Sequence, residues 1–148
     1  MNIRPLNRRD RSAIHGFFEQ MSPESRNFFD IDGKAEIMLL NLLSGHRTDK
    51  RNYGMFSQEG ELAGILMLWD CDKSVPWLSI AIAERYRSQG WGKKLISFAV
   101  REMSGEGKGG ILLTTHIKNV QAQALYRHMG FERLGVHANG EELFLKRF

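Results

Sequence analysis

A chain of 148 residues, 42% hydrophobic and 26% charged, is typical of one globular domain with a sizeable core. Its single cysteine excludes an internal disulfide, and no stretch approaches the roughly 20 apolar residues of a membrane span. The net charge of +4 suits an anionic ligand, but the basic residues are dispersed without interleaved aromatic residues, which disfavours nucleic-acid binding. We therefore expect a cytoplasmic protein with neither a nucleic-acid nor a membrane partner.

The first third of the chain predicts one strand followed by three helices. Residues 2–6 form a plausible first strand, and Asn7 with Asp10 has the spacing of a capping box that starts a helix. Ser22 before Pro23 predicts the start of a second helix. A turn at residues 30–33 precedes a third helix, at 35–43, and a polar, basic loop follows at 47–52.

The remaining residues predict mostly strands. Residues 53–57 and 62–68 are expected to pair through a tight hairpin, and the apolar run 77–82 reads as a buried strand. Later elements are a helix ending at Ser104, strands at 111–115, 131–136 and 143–148, and a helix at 119–128. This order predicts a single α/β (α+β) domain spanning residues 1–148, with a mixed, mostly antiparallel sheet of about seven strands flanked by helices.

The basic loop between the strand at 77–82 and the following helix is a candidate anion site. Gly90 and Gly92 carry no Cβ that would keep a ligand from the backbone, and a helix N-terminus supplies unpaired N–H groups and partial positive charge. This favours a phosphate or pyrophosphate, although an ordinary loop with glycines at a helix start has the same local pattern. The glycines at 105–110 lie between a helix and a strand, the reverse of a dinucleotide fingerprint.

Two motifs carry a resemblance to a known family. Arg87-Ser-Gln-Gly90-Trp-Gly92 fits the pattern Arg/Gln-x-x-Gly-x-Gly/Ala, and residues 119–131 fit Asn-x-x-Ala-x-x-Leu-Tyr-x-x-x-Gly-Phe. In this order and spacing the motifs closely resemble the GNAT superfamily of acetyl-CoA-dependent N-acyltransferases. The resemblance covers residues 62–148 and implies the GNAT fold. It also implies acetyl-CoA as acyl donor without a metal, and a small-molecule or peptide primary amine that attacks directly in a ternary complex.

The resemblance also implies where the cofactor binds. Backbone N–H groups of residues 87–93 would hold the pyrophosphate, and the acyl-pantetheine arm would lie between the strand at 78–82 and the one ending near Thr115. A backbone N–H near Ile82 would polarise the thioester carbonyl. The implied cofactor-binding residues are Ile80, Ile82, Arg87, Ser88, Gln89, Gly90, Trp91, Gly92, Lys93, Asn119 and Tyr126.

The resemblance implies one catalytic residue, and a second is a candidate from its position and its chemistry. Tyr126 matches the tyrosine that protonates, or hydrogen-bonds to, the departing thiolate, although it also lies on an apolar helix stripe as a core residue would. His116 is the nearest titratable group for a general base, since an imidazole has an ordinary pKa near 6.5. No acid occurs at 78–82, and Thr114 stands where some relatives carry glutamate. A structural or solvated histidine remains the alternative.

The resemblance also implies the position of the acceptor pocket. Phe28, Phe29, Asp30 and Asp32, with the strand of Tyr53, would build the acceptor pocket, although the two aspartates also fit a common turn.

Cys71 lies between Asp70 and Asp72, whose charges would raise its thiol pKa and make an acyl-enzyme implausible. A CoA-binding sensor of the same fold is the alternative function. A homodimer paired through the last strands is possible.

Overall fold

The computed structural model describes residues 1–45 and 48–148. Arg47, at the start of the predicted basic loop, lies outside the described residues. The described residues form five α-helices: α1 (Arg11–Glu19), α2 (Pro23–Phe29), α3 (Ala35–Leu43), α4 (Trp91–Gly105) and α5 (Val120–His128). They also form seven strands: β1 (Asn2–Pro5), β2 (Arg51–Phe56), β3 (Leu62–Trp69), β4 (Trp77–Ile82), β5 (Gly110–Thr115), β6 (Glu132–Val136) and β7 (Glu142–Arg147).

The seven described strands form one sheet in the order β1-β2-β3-β4-β5-β7-β6. Every neighbouring pair is antiparallel except β4 and β5, which are parallel. The last strand, β7, inserts between β5 and β6, so that β6 forms one edge. The mixed, mostly antiparallel sheet flanked by helices confirms the predicted fold class.

Capping residues fix the helix starts that the sequence predicts. Asn7 and Asp10 form a complete capping box, which begins a short 3₁₀ turn at Arg8–Asp10 before α1. The Ser22 hydroxyl accepts from the Ser25 N–H while Pro23 occupies the first position of α2. These contacts set where the 3₁₀ turn and α2 begin.

Two apolar layers cover the sheet, one on each face. Residues on α4 and α5 pack with one face of the central strands, where Leu95, Met103 and Phe144 are fully buried. Residues on α1 and α3 pack with the other face, where Phe17 and Leu39 are buried against Ile65. In the part of the chain that is described, no helix combines the length and the apolar character needed to cross a membrane.

Candidate active site

The parallel strands β4 and β5 diverge from a single point of contact. β4 pairs with β3 along its whole length, from Trp77 opposite Trp69 to Ile82 opposite Gly64. Between β4 and β5, by contrast, the described residues pair in register at Trp77 and Leu112. The sheet therefore contains a V-shaped gap that opens toward the C-terminal ends of these strands.

Backbone polar groups of β4 point into this gap. The Ala83 N–H bonds to the Ala63 carbonyl on β3 at 2.8 Å, whereas the Pro76 carbonyl accepts from the Leu112 N–H on β5 at 2.9 Å. Successive residues of a strand direct their N–H and C=O groups to opposite sides. The backbone groups of Ile80 and Ile82 therefore face the gap, where an extended ligand could pair with them as an added strand.

The loop before α4 ends in a helix start that lacks a side-chain cap. Gly90 is the N-cap with φ of +86°, and Ser88 is also left-handed with φ of +58°. No side chain caps this helix end, so its first N–H groups, beginning with Trp91, are available to a ligand. A 15-residue helix adds partial positive charge at this point. Such an end favours an anion.

The two glycines of this loop fit a bound diphosphate for different reasons. A Cβ built on Gly90 meets nothing within 4 Å, so the backbone there faces open space, although its positive φ would strain any L residue. A Cβ on Gly92 would lie 3.0 Å from Leu125 Cδ2, so Gly92 allows the start of α4 to approach α5. The exposed side chains of Arg87 and Lys93 add two cations beside the loop.

A cavity of about 590 Å³ extends from this loop into the gap between β4 and β5. Gln89 and His116 do not line it; the Gln89 amide instead donates to the Arg85 carbonyl at 3.0 Å. Most of the sequence-predicted site residues do line it, namely Ile80, Ile82, Arg87, Ser88, Gly90, Trp91, Gly92, Lys93, Asn119 and Tyr126. Asn119 also caps α5, where its side-chain oxygen accepts from the Ala122 N–H at 3.3 Å.

Tyr126 belongs to both the core and the cavity lining. It is 7% exposed, and its ring packs 5.8 Å from Phe131 and 6.2 Å from Phe144. Among the described residues its hydroxyl has no hydrogen-bond partner. Burial raises the pKa of the phenol above its ordinary value, because ionisation would place a charge in an apolar environment. The group is therefore a protonated donor at neutral and moderately alkaline pH.

His116 lies just beyond the end of β5, against the end of the cavity that α2 lines. Its ring centroid is 5.2 Å from that of Phe28, which lines the cavity. Its Nδ1 accepts from the Lys118 N–H at 3.1 Å. In a neutral imidazole with Nδ1 as acceptor, the proton resides on Nε2. Uptake of a second proton at Nδ1 would require the Lys118 bond to break.

The far end of the cavity is formed by α2 with the diverging strands. Ser25, Phe28 and Phe29 line it together with Ser79 and Thr114. The two phenylalanines that the sequence analysis expects in an acceptor pocket thus line the same cavity as the glycine loop.

The aspartates of the following turn have structural roles. Asp30 is buried, accepts from the Ala35 N–H at 2.9 Å and pairs with Arg26 at 3.3 Å. Asp32 accepts from the Lys34 N–H at 3.0 Å, as a turn residue does. The Tyr53 ring lies 5.0 Å from Phe98 of α4 and is buried in the core, outside the cavity lining. No residue of β2, the strand of Tyr53, is among the described residues that line the cavity, so the expected contribution of that strand to an acceptor pocket is not found there.

Glu84 is a residue of this region that the sequence analysis missed. It lies in a 3₁₀ turn after β4, and its Oε1 accepts from the hydroxyls of Ser22 at 2.8 Å and Ser25 at 2.5 Å. The hydrogen bond from Ser25 is the main reason that the Glu84 pKa is lowered. No local sequence pattern indicates this contact, because Ser22 and Ser25 lie about sixty residues away from Glu84 along the chain.

Cys71 is buried, and burial raises the pKa of its thiol. The direction agrees with the sequence analysis, but burial, rather than the adjacent Asp70 and Asp72, is the main cause. The opposing charge of Arg51 is a weaker influence. A buried, protonated thiol is a poor nucleophile.

Comparison with known proteins places these features in context. A family model described as the acetyltransferase (GNAT) family matches residues 13–131. A putative ribosomal protein bS18-alanine N-acetyltransferase of Bacillus subtilis is 28% identical over 88 residues, which cover 60% of this chain and 58% of that protein. The chain thus spans about three fifths of the length of the first curated relatives it matches.

Two solved structures show the same fold. An acetyltransferase of the GNAT family from Staphylococcus aureus Mu50 superposes with a TM-score of 0.81 at 19% identity, covering 99% of this chain and 98% of that one. The PaiA N-acetyltransferase of Thermoplasma acidophilum, solved in complex with coenzyme A, gives a TM-score of 0.81 at 21% identity over the same shares. At these identities the likeness concerns the fold.

Proposed function

The chain belongs to the acetyltransferase (GNAT) family, and from this membership we propose that it transfers an acetyl group from acetyl-CoA to a primary amine. One observation carries the proposal: an uncapped helix N-terminus, a gap between parallel strands and a buried tyrosine meet in one cavity. A donor with an anionic diphosphate, an extended arm and a departing thiolate needs these three features together. When bound, acetyl-CoA supplies the acetyl group as an activated thioester.

Cofactor binding is assigned to the loop and to β4. The N–H groups that begin α4 would hold the pyrophosphate, with Arg87 and Lys93 adding charge. The backbone of Ile80 and Ile82, which faces the gap, would pair with the pantetheine arm. The same strand offers the Ile82 N–H as the donor that polarises the acetyl carbonyl.

Tyr126 is assigned the stabilisation of the departing sulfur. A thiol has an ordinary pKa near 8.5, whereas burial raises the phenol pKa above its ordinary value of about 10. The phenol is the weaker acid, so it would donate a hydrogen bond to the thiolate and retain its own proton. Its lack of another partner among the described residues leaves the hydroxyl available for that bond.

His116 is proposed as the proton acceptor for the amine. It does not line the cavity, so it would act through water, and it must release the Lys118 N–H to take a proton at Nδ1. An alkyl ammonium has a pKa near 10.4 and must lose a proton before its nitrogen can attack. With Cys71 buried and protonated, direct attack by the amine is favoured over an acyl-enzyme.

The acceptor is proposed to be a peptide N-terminus or a small primary amine. The Bacillus subtilis relative is named for alanine N-acetylation of a ribosomal protein, which is a precedent for a peptide acceptor. The apolar, aromatic residues Phe28 and Phe29, which line the α2 end of the cavity, suit an apolar side chain of a peptide acceptor.

Release of CoA thiol from acetyl-CoA in the presence of a panel of amines tests this function. The panel should contain an alanine-initiated peptide, a polyamine and simple alkylamines, with CoA binding measured separately by calorimetry. We expect amine-dependent release of CoA. Tight CoA binding without release for any amine would favour a CoA-binding sensor of the same fold.

A homodimer through the last strands is a separate proposal. β6 is an edge strand, and its side chains Leu134 and Val136 are 48% and 62% exposed. Pairing of two β6 edges would bury these side chains. Sedimentation of the wild type beside Val136→Lys would test it, because a charge on the edge should leave a monomer.

A further inference from the structure

Outside the groups already assigned, Glu141 is a described carboxylate that bonds to a residue lining the cavity, although Glu141 itself does not line it. Glu141 precedes β7, and its Oε1 accepts from the Thr114 hydroxyl at 2.9 Å. Thr114 lines the cavity on β5, at the position where the sequence lacks an acid. The β6–β7 turn therefore brings a carboxylate to a strand that carries none of its own.

Glu141 lies on an aromatic and aliphatic face of the sheet. Paired residues of adjacent strands share a face, and on this face Trp69 pairs with Trp77, Trp77 with Leu112, and Thr114 with Leu143. All five of these side chains are only partly buried. We call this surface the open sheet face. The His137 ring packs edge-on against Trp77 with centroids 5.6 Å apart, beside the turn that carries Glu141.

No cation among the described residues neutralises Glu141. Its remaining side-chain contact is with the Asn139 amide at 3.4 Å, and it forms no ion pair with a described lysine, arginine or histidine. By contrast, its neighbour Glu142 pairs with Arg133. A half-buried carboxylate that is bonded to neutral groups, beside a sheet face rich in apolar side chains, favours a cationic ligand.

We propose that the Glu141 carboxylate, oriented by Thr114, binds the ammonium group of the acceptor, while the open sheet face holds the apolar stem attached to that ammonium. This inference rests on the proposed function and names the acceptor class, a primary ammonium carried on an apolar chain. Glu141 is thereby a specificity-determining residue. It would bring the amine to the Thr114 side of the gap, opposite the strand that carries Ile80 and Ile82.

Binding can be measured without turnover. Hexylamine and its uncharged analogue hexan-1-ol would be titrated by NMR into the CoA-saturated protein and into Glu141→Gln. We expect Glu141→Gln to weaken hexylamine binding about tenfold, because a charge-assisted hydrogen bond is lost, and to leave hexan-1-ol and CoA binding unchanged. Thr114→Val, which keeps the carboxylate but removes its anchor, should weaken hexylamine binding by a smaller factor.

Glu59→Gln is the matched control, since Glu59 is exposed in the β2–β3 turn and the change removes the same charge. Equal affinity of the wild type for hexylamine and hexan-1-ol would overturn the inference. The inference would also be overturned if Glu59→Gln weakened hexylamine binding as much as Glu141→Gln does. The same holds if Glu141→Gln weakened the binding of hexylamine and of hexan-1-ol equally. Glu141-dependent hexylamine binding supports the inference even if no amine is acetylated, an outcome that would overturn the proposed function alone.

Discussion

The hydroxyl of Ser25 donates a hydrogen bond of 2.5 Å to the Glu84 carboxylate, although 59 residues separate the two in the chain. Ser25 lies on α2 at the acceptor end of the cavity, and Glu84 lies in the turn between β4 and the glycine loop. The other oxygen of Glu84 is 3.8 Å from Arg87 Nε. One carboxylate thus joins the helix at the acceptor end to the first cation of the proposed cofactor loop.

Glu84→Gln is expected to lower the free energy of unfolding at neutral pH by about 1 kcal/mol. The expected value is small because the Glu84 side chain is more than one third exposed, so solvent screens its charge. The folded pKa of Glu84 lies below the ordinary glutamate value of about 4.3. Its contribution is therefore complete above that value and is lost as pH falls through the folded pKa. Urea unfolding of both proteins at pH 7 and pH 3.5 would measure the difference.

Glu59→Gln, at an exposed turn, controls for the change in net charge. A stability difference between the wild type and Glu84→Gln that persisted unchanged at pH 3.5 would show that the charge on Glu84 is not its source.

Gly90→Glu is expected to weaken CoA binding by about a hundredfold or more. The substitution strains a residue with φ of +86° and introduces a negative side chain at a helix start that favours anions. Gly60→Glu is a matched control, because Gly60 has φ of +84°, equally open surroundings, and a position in the β2–β3 turn. Calorimetry should find similar losses of stability in both variants and normal CoA affinity in Gly60→Glu. Unchanged affinity in Gly90→Glu would refute the loop assignment.

Local signals account for the part of the fold that could be predicted. The capping box of Asn7 and Asp10, the Ser22-Pro23 helix start and the alternation of apolar residues each act within a few positions. The strand at 77–82, the helix at 35–43 and the helix start at Pro23 accordingly match the predictions, and the other predicted strands differ by at most two residues at either end. The glycine loop could be predicted from the sequence for the same reason, because its conformation depends on the glycines themselves.

Contacts between distant segments could not be predicted in this way. Glu84 meets Ser25, and Glu141 meets Thr114, only because the sheet order brings their elements together. The insertion of β7 between β5 and β6 has no signature in either strand alone. The Asp30 and Asp32 pair fitted either an acceptor pocket or a common turn, and the hydrogen bonds from the Ala35 and Lys34 N–H groups favour the turn.

Tyr126→Phe is expected to lower turnover about a hundredfold while CoA affinity and stability stay nearly unchanged. The hydroxyl has no partner among the described residues, so its removal sacrifices no internal hydrogen bond. Because burial raises the phenol pKa, wild-type activity should not fall through ionisation of Tyr126 near pH 10. Steady-state kinetics and calorimetry would measure these quantities. The control is Tyr53→Phe, which should retain activity because Tyr53 is a core residue outside the cavity lining. Full activity of Tyr126→Phe would show that Tyr126 serves packing and not catalysis.

With an alkylamine as acceptor, His116→Ala is expected to lower kcat/KM at neutral pH by about tenfold or more, and the deficit should shrink as pH rises toward the amine's pKa near 10.4. At high pH the amine arrives already deprotonated, so a proton acceptor contributes less. Rate profiles from pH 6 to 10 would measure this convergence. His128→Ala is the control, since His128 is exposed on α5 and does not line the cavity. If the pH–rate profile of His116→Ala ran parallel to that of the wild type, His116 would have no part in proton transfer. Its role would then be limited to its contacts with Lys118 and Phe28.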